Sequence, residues 1–253
     1  MTNKLRVFAG ATVLAAGLWF LSGAAAAPTL PTDSYKKAAA ADLAFLNKRL
    51  DELAEMEKPK DGVRKPALTA AVMLSVYGDI LGDPALKADA LKVAEALMKK
   101  DIKGAAALAK TLAVKPGAAA GAGGLPKLNK FDLELVMNPF RAGKAGGMNI
   151  EKDIRDMLAK ESPLKVDPAA VEILATRTAV LGEFGLHFPN DAASTPPANK
   201  AQWDKWMKEM VDVSKQLAEE GGKGAGADEK KILGLVSKLN AKCSDCHAKF
   251  RTD

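Results

Sequence analysis

Five residues near the end of the chain, Cys243-Ser244-Asp245-Cys246-His247, place two thiols and an imidazole at a C-x-x-C-H spacing. Residues three and four apart share a helix face. On a helix, therefore, both sulfurs can reach the two vinyl groups along one edge of a porphyrin while the imidazole turns to the iron. The chemistry this predicts is covalent attachment of one haem c through thioethers at Cys243 and Cys246, with His247 as the proximal iron ligand. Three other readings use the same residues: a chance pentapeptide, a Cys243/Cys246 redox dithiol, and a Cys/Cys/His metal site that needs one more ligand. The dithiol lacks the strand-to-helix context of a thioredoxin-like site, and the metal site finds only His187 or a distant carboxylate as a fourth ligand. The chain has 2 Cys and 2 His in all, so cofactor chemistry is confined to very few residues.

The elements that position these groups are predicted to be helical. The 253 residues are 48% hydrophobic but only 5% aromatic and rich in Ala, which favours helix over a β-sandwich or barrel. Residues 1–27 read as an export signal: Lys4 and Arg6 precede an uncharged run, and Ala24 and Ala26 supply an A-x-A cleavage pattern. The alternative for this run is an uncleaved anchor, since about 20 apolar residues can span a bilayer. Without Lys4 and Arg6, the 37 basic residues become 35 against 31 acidic, a net of +4. That mild excess, without basic blocks or interleaved aromatics, excludes a nucleic-acid binder.

In the mature chain, Leu43, Leu46, Leu50, Leu53 and Met56 form one stripe of a long helix over 34–57. A second helix is expected over 65–81. Asp83-Pro84 opens a third, to about Lys100, and a shorter segment follows Gly104. The KPGAAAGAGG run over 115–124 reads as a linker between a helical domain, 28–114, and a second domain, 125–253. Beyond it, Phe131–Phe140 and Ile150–Leu158 are apolar-periodic pieces separated by glycines, and Asp167-Pro168 starts a helix to about Phe184. A Pro-rich loop over 187–200 precedes a helix capped by Asn199 and carrying Trp203, Met207 and Met210. The last helix begins near Asp228 and runs in register into Cys243. The expected fold is all-α, two antiparallel four-helix bundles. A faint repeat, AVMLSVYGDI (71–80) against ATRTAVLGEF (175–184), matches Gly78 with Gly182 and Asp79 with Glu183.

The run Cys243–Arg251, CSDCHAKFR, is similar to the C-x-x-C-H-x-x-[aromatic]-R ending of the class II c-type cytochromes, the cytochrome c′ group. The resemblance is specific over those nine residues and supportive over 125–253, where helix count and order also fit. It implies a haem motif on the last helix of a four-helix bundle, with Arg251 near the proximal face, where it can influence the iron's ligand environment or a propionate. It also implies that the first helix of that bundle faces the iron with either an apolar residue or a methionine. Met137 is the first candidate sixth ligand, and a shift of one turn would put Leu133 or Val136 there instead. Met148 and His187 are further candidates. Trp203 and Trp206 belong either near the porphyrin edge or in the core.

The expectation is an exported, periplasmic mono-haem cytochrome that transfers single electrons to a redox partner protein. One alternative is binding of a small gas such as NO or CO at a five-coordinate iron. Another is an accessory haem subunit docked through 28–114. A homodimer is a further option, since bundles of this family often pair through helices. No Ser/His/Asp set, phosphate-binding loop, Glu-x-x-His pair or catalytic-Cys motif points to an enzyme.

Overall fold

The computed structural model describes residues 30–115, 137–143, 147–159 and 166–250. The stretch 1–27 read as an export signal, most of the 115–124 run read as a linker, Leu133, Val136 and Arg251 lie outside these residues. Every regular element among them is helical. The α-helices are α1 (Thr32–Ala54), α2 (Asp61–Ile80), α3 (Pro84–Met98), α4 (Ile102–Ala109), α5 (Ile150–Leu158), α6 (Pro168–His187), α7 (Asp191–Ser194), α8 (Pro197–Gly221) and α9 (Glu229–Phe250), with 3₁₀ turns at Asn138–Phe140 and Gly224–Gly226. None of the described helices is long and apolar enough to cross a membrane.

The two Asp-Pro signals act as the sequence predicts. Asp83 accepts the Ala85 and Leu86 N–H groups at 3.1 and 2.9 Å, and Asp167 accepts that of Ala169 at 3.0 Å. Each is followed by a proline whose fixed φ suits the first helical position and whose missing N–H costs nothing there. Elsewhere the boundaries shift. α2 begins at Asp61, four residues early, with that carboxylate at the favourable N-terminal end and paired to Arg64 Nη2 at 2.8 Å. α8 begins at Pro197, so Asn199 is not its cap; it sits in the first turn and donates its amide to the Ala192 carbonyl at 2.9 Å. The described end of the Phe131–Phe140 segment is a 3₁₀ turn, because Pro139 lacks an N–H and disfavours α geometry at Asn138 before it.

Two helices are buried nearly all round, as apolar sequence on every face requires. α2, buried continuously from Pro66 to Gly78, lies between α1 and α3, and α4 closes on α1 and α3. α6 lies between α1 and α8, while α9 packs on α8 and α5. Each full burial of a Leu side chain, as at Leu46, Leu53 and Leu239, contributes about 1.5–3 kcal/mol.

The repeat segments fall on α2 and α6, and their matched glycines do the same work. A Cβ on Gly78 would stand 2.4 Å from the Lys87 backbone nitrogen of α3, and one on Gly182 would stand 2.8 Å from Val211 Cγ2 of α8. Both let neighbouring helices cross closely. The adjacent acids differ. Asp79 pairs with Lys87 Nζ at 2.5 Å, whereas Glu183 Oε1 is buried with no hydrogen-bond partner among the described residues. Burial pushes the Glu183 carboxyl up to about 7. A folded-state value above the ordinary one means stability is fully present below about pH 4.5 and is lost as pH rises through 7. Glu183→Gln is expected to be about 1–3 kcal/mol more stable than the parent at pH 8 and equal to it at about pH 3.5, read from urea midpoints.

The first four helices are tied to the rest through α1 and α6. Glu172 of α6 accepts from Ser34 Oγ at 2.9 Å and from Lys37 Nζ at 2.8 Å. Further along, the fully buried Asp42 accepts from Arg177 Nε at 2.8 Å and from its Nη2.

Candidate functional site

Cys243, Cys246 and His247 lie on the last two turns of α9, and the hairpin between α8 and α9 sets where those turns fall. At that hairpin Glu220 accepts the Asp228 backbone N–H at 3.0 Å and pairs with Lys223 and Lys231 at 2.8 and 2.6 Å. Those bonds hold the Glu220 carboxyl down at about 2, so it stays ionised and keeps both lysine pairs well below neutral pH. The far end of α9 is fixed twice more. Asn190 Nδ2 donates to the Phe250 carbonyl at 2.8 Å, and the Phe250 ring meets Trp203 and Trp206 edge-on at 5.4 and 5.6 Å. Trp203 is itself held by its indole N–H, which donates to the Gly185 carbonyl at 2.7 Å.

Between these fixed points α9 faces a pocket enclosing about 410 Å³ of non-atom space, part of it open to solvent. Cys243, Cys246 and His247 all line it, as their shared helix face predicts. Opposite elements contribute Met137, immediately before the 3₁₀ turn, Phe140 within it, and Trp206, Met207 and Met210 from α8. The turn is anchored to the start of α5 by the Gly143 N–H donating to Asn149 Oδ1 at 2.6 Å and the Asn149 N–H donating to the Arg141 carbonyl at 2.9 Å. Glu151 and Lys242 supply the charged part of the lining.

Of the candidate iron ligands, Met137 shares the pocket with His247. Met148 is buried in the core, its N–H bonded to the Pro139 carbonyl, and His187 is exposed at the end of α6; neither lines the pocket. The tryptophans divide: Trp203 is core and Trp206 is pocket wall. Phe140, Glu151, Met207, Met210 and Lys242 enter the site unannounced by the C-x-x-C-H motif. For Met207 and Met210 the available signal was their spacing of three on the face that also carries Trp203 and Trp206.

The two thiols are protonated at neutral pH. Burial raises that of Cys243 to about 12, with Cys246 and Glu151 adding to the effect, and burial raises that of Cys246 to about 11. Because the thiolate is the nucleophile, iodoacetamide at pH 8 is expected to alkylate both residues about a hundredfold more slowly in the folded, haem-free chain than in urea. Mass spectrometry of quenched samples reads the ratio. Among the described residues, no group of three or more His, Cys, Asp or Glu side chains converges as a metal site. The two thiols and the imidazole instead lie along a mostly apolar wall. That donor set, on one helix face, is chemically compatible with a haem attached through thioethers. The chain matches no family model, no curated protein and no solved structure.

Proposed function

We propose that the protein is an exported, periplasmic c-type cytochrome carrying one haem on residues 125–253, a four-helix unit of the class II kind, and that it exchanges single electrons with a redox partner protein. Residues 28–114 form a second helical unit docked on it through α1 and α6. The observation that carries this reading is that Cys243, Cys246, His247 and Met137, from segments far apart in sequence, line one mostly apolar pocket.

Bound there, haem supplies a one-electron Fe(III)/Fe(II) couple. Cys243 and Cys246 would hold it through thioether bonds, an addition of each S–H across a vinyl group that needs no oxidant. His247 offers a neutral imidazole nitrogen to the iron, and Met137 is the candidate thioether ligand. Trp206, Met207, Met210 and Phe140 give the site an apolar lining, which favours the less charged reduced state.

The test is the visible spectrum of the purified protein. Electron transfer requires a low-spin ferrous spectrum that CO leaves unchanged. A high-spin ferric spectrum with ready CO or NO binding would replace electron transfer by gas binding, and a haem-free protein would remove both readings.

A further inference from the structure

None of the described residues in 28–114 lines the pocket, yet the first helical unit stands directly behind one of its walls. That wall is the Asn138–Phe140 turn with Met137 immediately before it; Met137 and Phe140 line the pocket, while Pro139 is buried and takes no part in the lining. Two helices pack on the turn, α5 from the second unit and α2 from the first. On the α5 side the Met148 and Asn149 N–H groups donate to the Pro139 and Arg141 carbonyls at 3.0 and 2.9 Å, and a Cβ on Gly147 would overlap the Arg141 carbonyl oxygen. The turn and the start of α5 therefore form one tightly closed body. That body is tied to the first unit a second time. Asp153 of α5 acts through its field on Arg177, which is paired with Asp42 of α1, and the fully buried Tyr77 of α2 lies beside the same carboxylate.

A single 3₁₀ turn has few hydrogen bonds of its own and holds its place through what it packs on. α2 suits that task, since it is buried continuously from Pro66 to Gly78 and a close-packed helix yields little. We propose that the first helical unit is an internal brace for the pocket: α2 backs the Asn138–Phe140 turn, holds Met137 and Phe140 in the wall opposite α9, and so positions the candidate sixth ligand. The bracing itself is a property of the haem-free chain. Its consequence, control of how often the iron's sixth position opens, rests on the haem reading above and extends it.

The test compares two mild variants of the full chain. Ala71→Gly loosens the middle of α2, where Ala71 is fully buried, and Ala218→Gly loosens α8 by a similar amount two turns beyond its last pocket residue, Met210. In the haem-free chain, kept reduced, hydrogen exchange is followed at the Met148 and Asn149 amides, whose bonds close the turn. Ala71→Gly is expected to speed exchange at both by about fivefold, and Ala218→Gly to leave both within about twofold of the parent. No change with Ala71→Gly, or equal acceleration by the two variants, would overturn the brace. In the haem-loaded ferric chain, exogenous imidazole competes for the sixth position, and its apparent affinity scales with the fraction of molecules in which that position is open. Ala71→Gly should tighten imidazole binding by about fivefold and Ala218→Gly by less than about twofold. Equal effects of the two variants on imidazole, or none, would overturn control of the iron and leave the haem reading standing. Coupled exchange in a chain that never takes up haem would overturn the haem reading and leave the brace standing.

Discussion

Replacing Asp42 with Ala is expected to destabilise the chain by about 3–5 kcal/mol, a large share of the stability of a typical domain. Asp42 is fully buried and is the carboxylate that neutralises Arg177, whose side chain is only 14% exposed. Removing it leaves a guanidinium inside the α1–α6 contact with no other ion pair among the described residues; Asp153 acts on it only through its field. The neighbouring Glu172 is already committed to Ser34 and Lys37. Replacing both partners by apolar residues of similar size, Asp42→Leu with Arg177→Met, should recover most of the loss, because the cost lies in the orphaned charge more than in the lost pair. Urea midpoints of the three variants check this, and a loss below about 1 kcal/mol for Asp42→Ala would show that the pair is solvated. The same contact fixes α6, and α6 positions α8: a Cβ on Gly185 would stand 2.6 Å from Met207 Sδ, in the wall of the pocket.

Met137→Leu is expected to lower the reduction potential on the order of 100 mV or more, well within the ~0.8 V range over which axial ligands set it, and to open the iron to CO. The thioether favours the ferrous state, and Leu fills similar space without a donor atom. The size match matters, since Met137 is only partly buried and packs against the core, so a smaller residue would confuse a lost ligand with a lost contact. Redox titration followed optically, with CO added to the reduced samples, gives both readouts. An unchanged potential and unchanged gas reactivity would remove Met137 from the iron. Parent protein that already binds CO would do the same.

Much of this was legible in the sequence where the signal is local. The Asp-Pro caps, the Ile150–Leu158 helix and the shared face of Cys243, Cys246 and His247 depend on residues within one or two turns of each other. The expected cap at Asn199 failed for an equally local reason: two consecutive prolines started the helix earlier and turned that side chain back toward the loop. What could not be read was pairing at long range. Nothing near Asp42 marks Arg177 as its partner, and nothing in Lys242, beside the motif, marks Glu209. The divergent repeat shows the limit well. Gly78 and Gly182 keep one steric role, while among the described residues Glu183 has no counterpart to the Lys87 that pairs with Asp79, a difference set by the facing helix.

The most direct measurement is the intact mass of the full-length chain produced in cells that attach haem to exported proteins, taken in denaturant after extraction with acidified organic solvent. The predicted result is a chain cut near Ala27 that retains the mass of one haem, with the haem lost from Cys243→Ala/Cys246→Ala. A chain that carries no haem, that gives up its haem to the solvent, or that keeps it without either cysteine would contradict covalent attachment at α9.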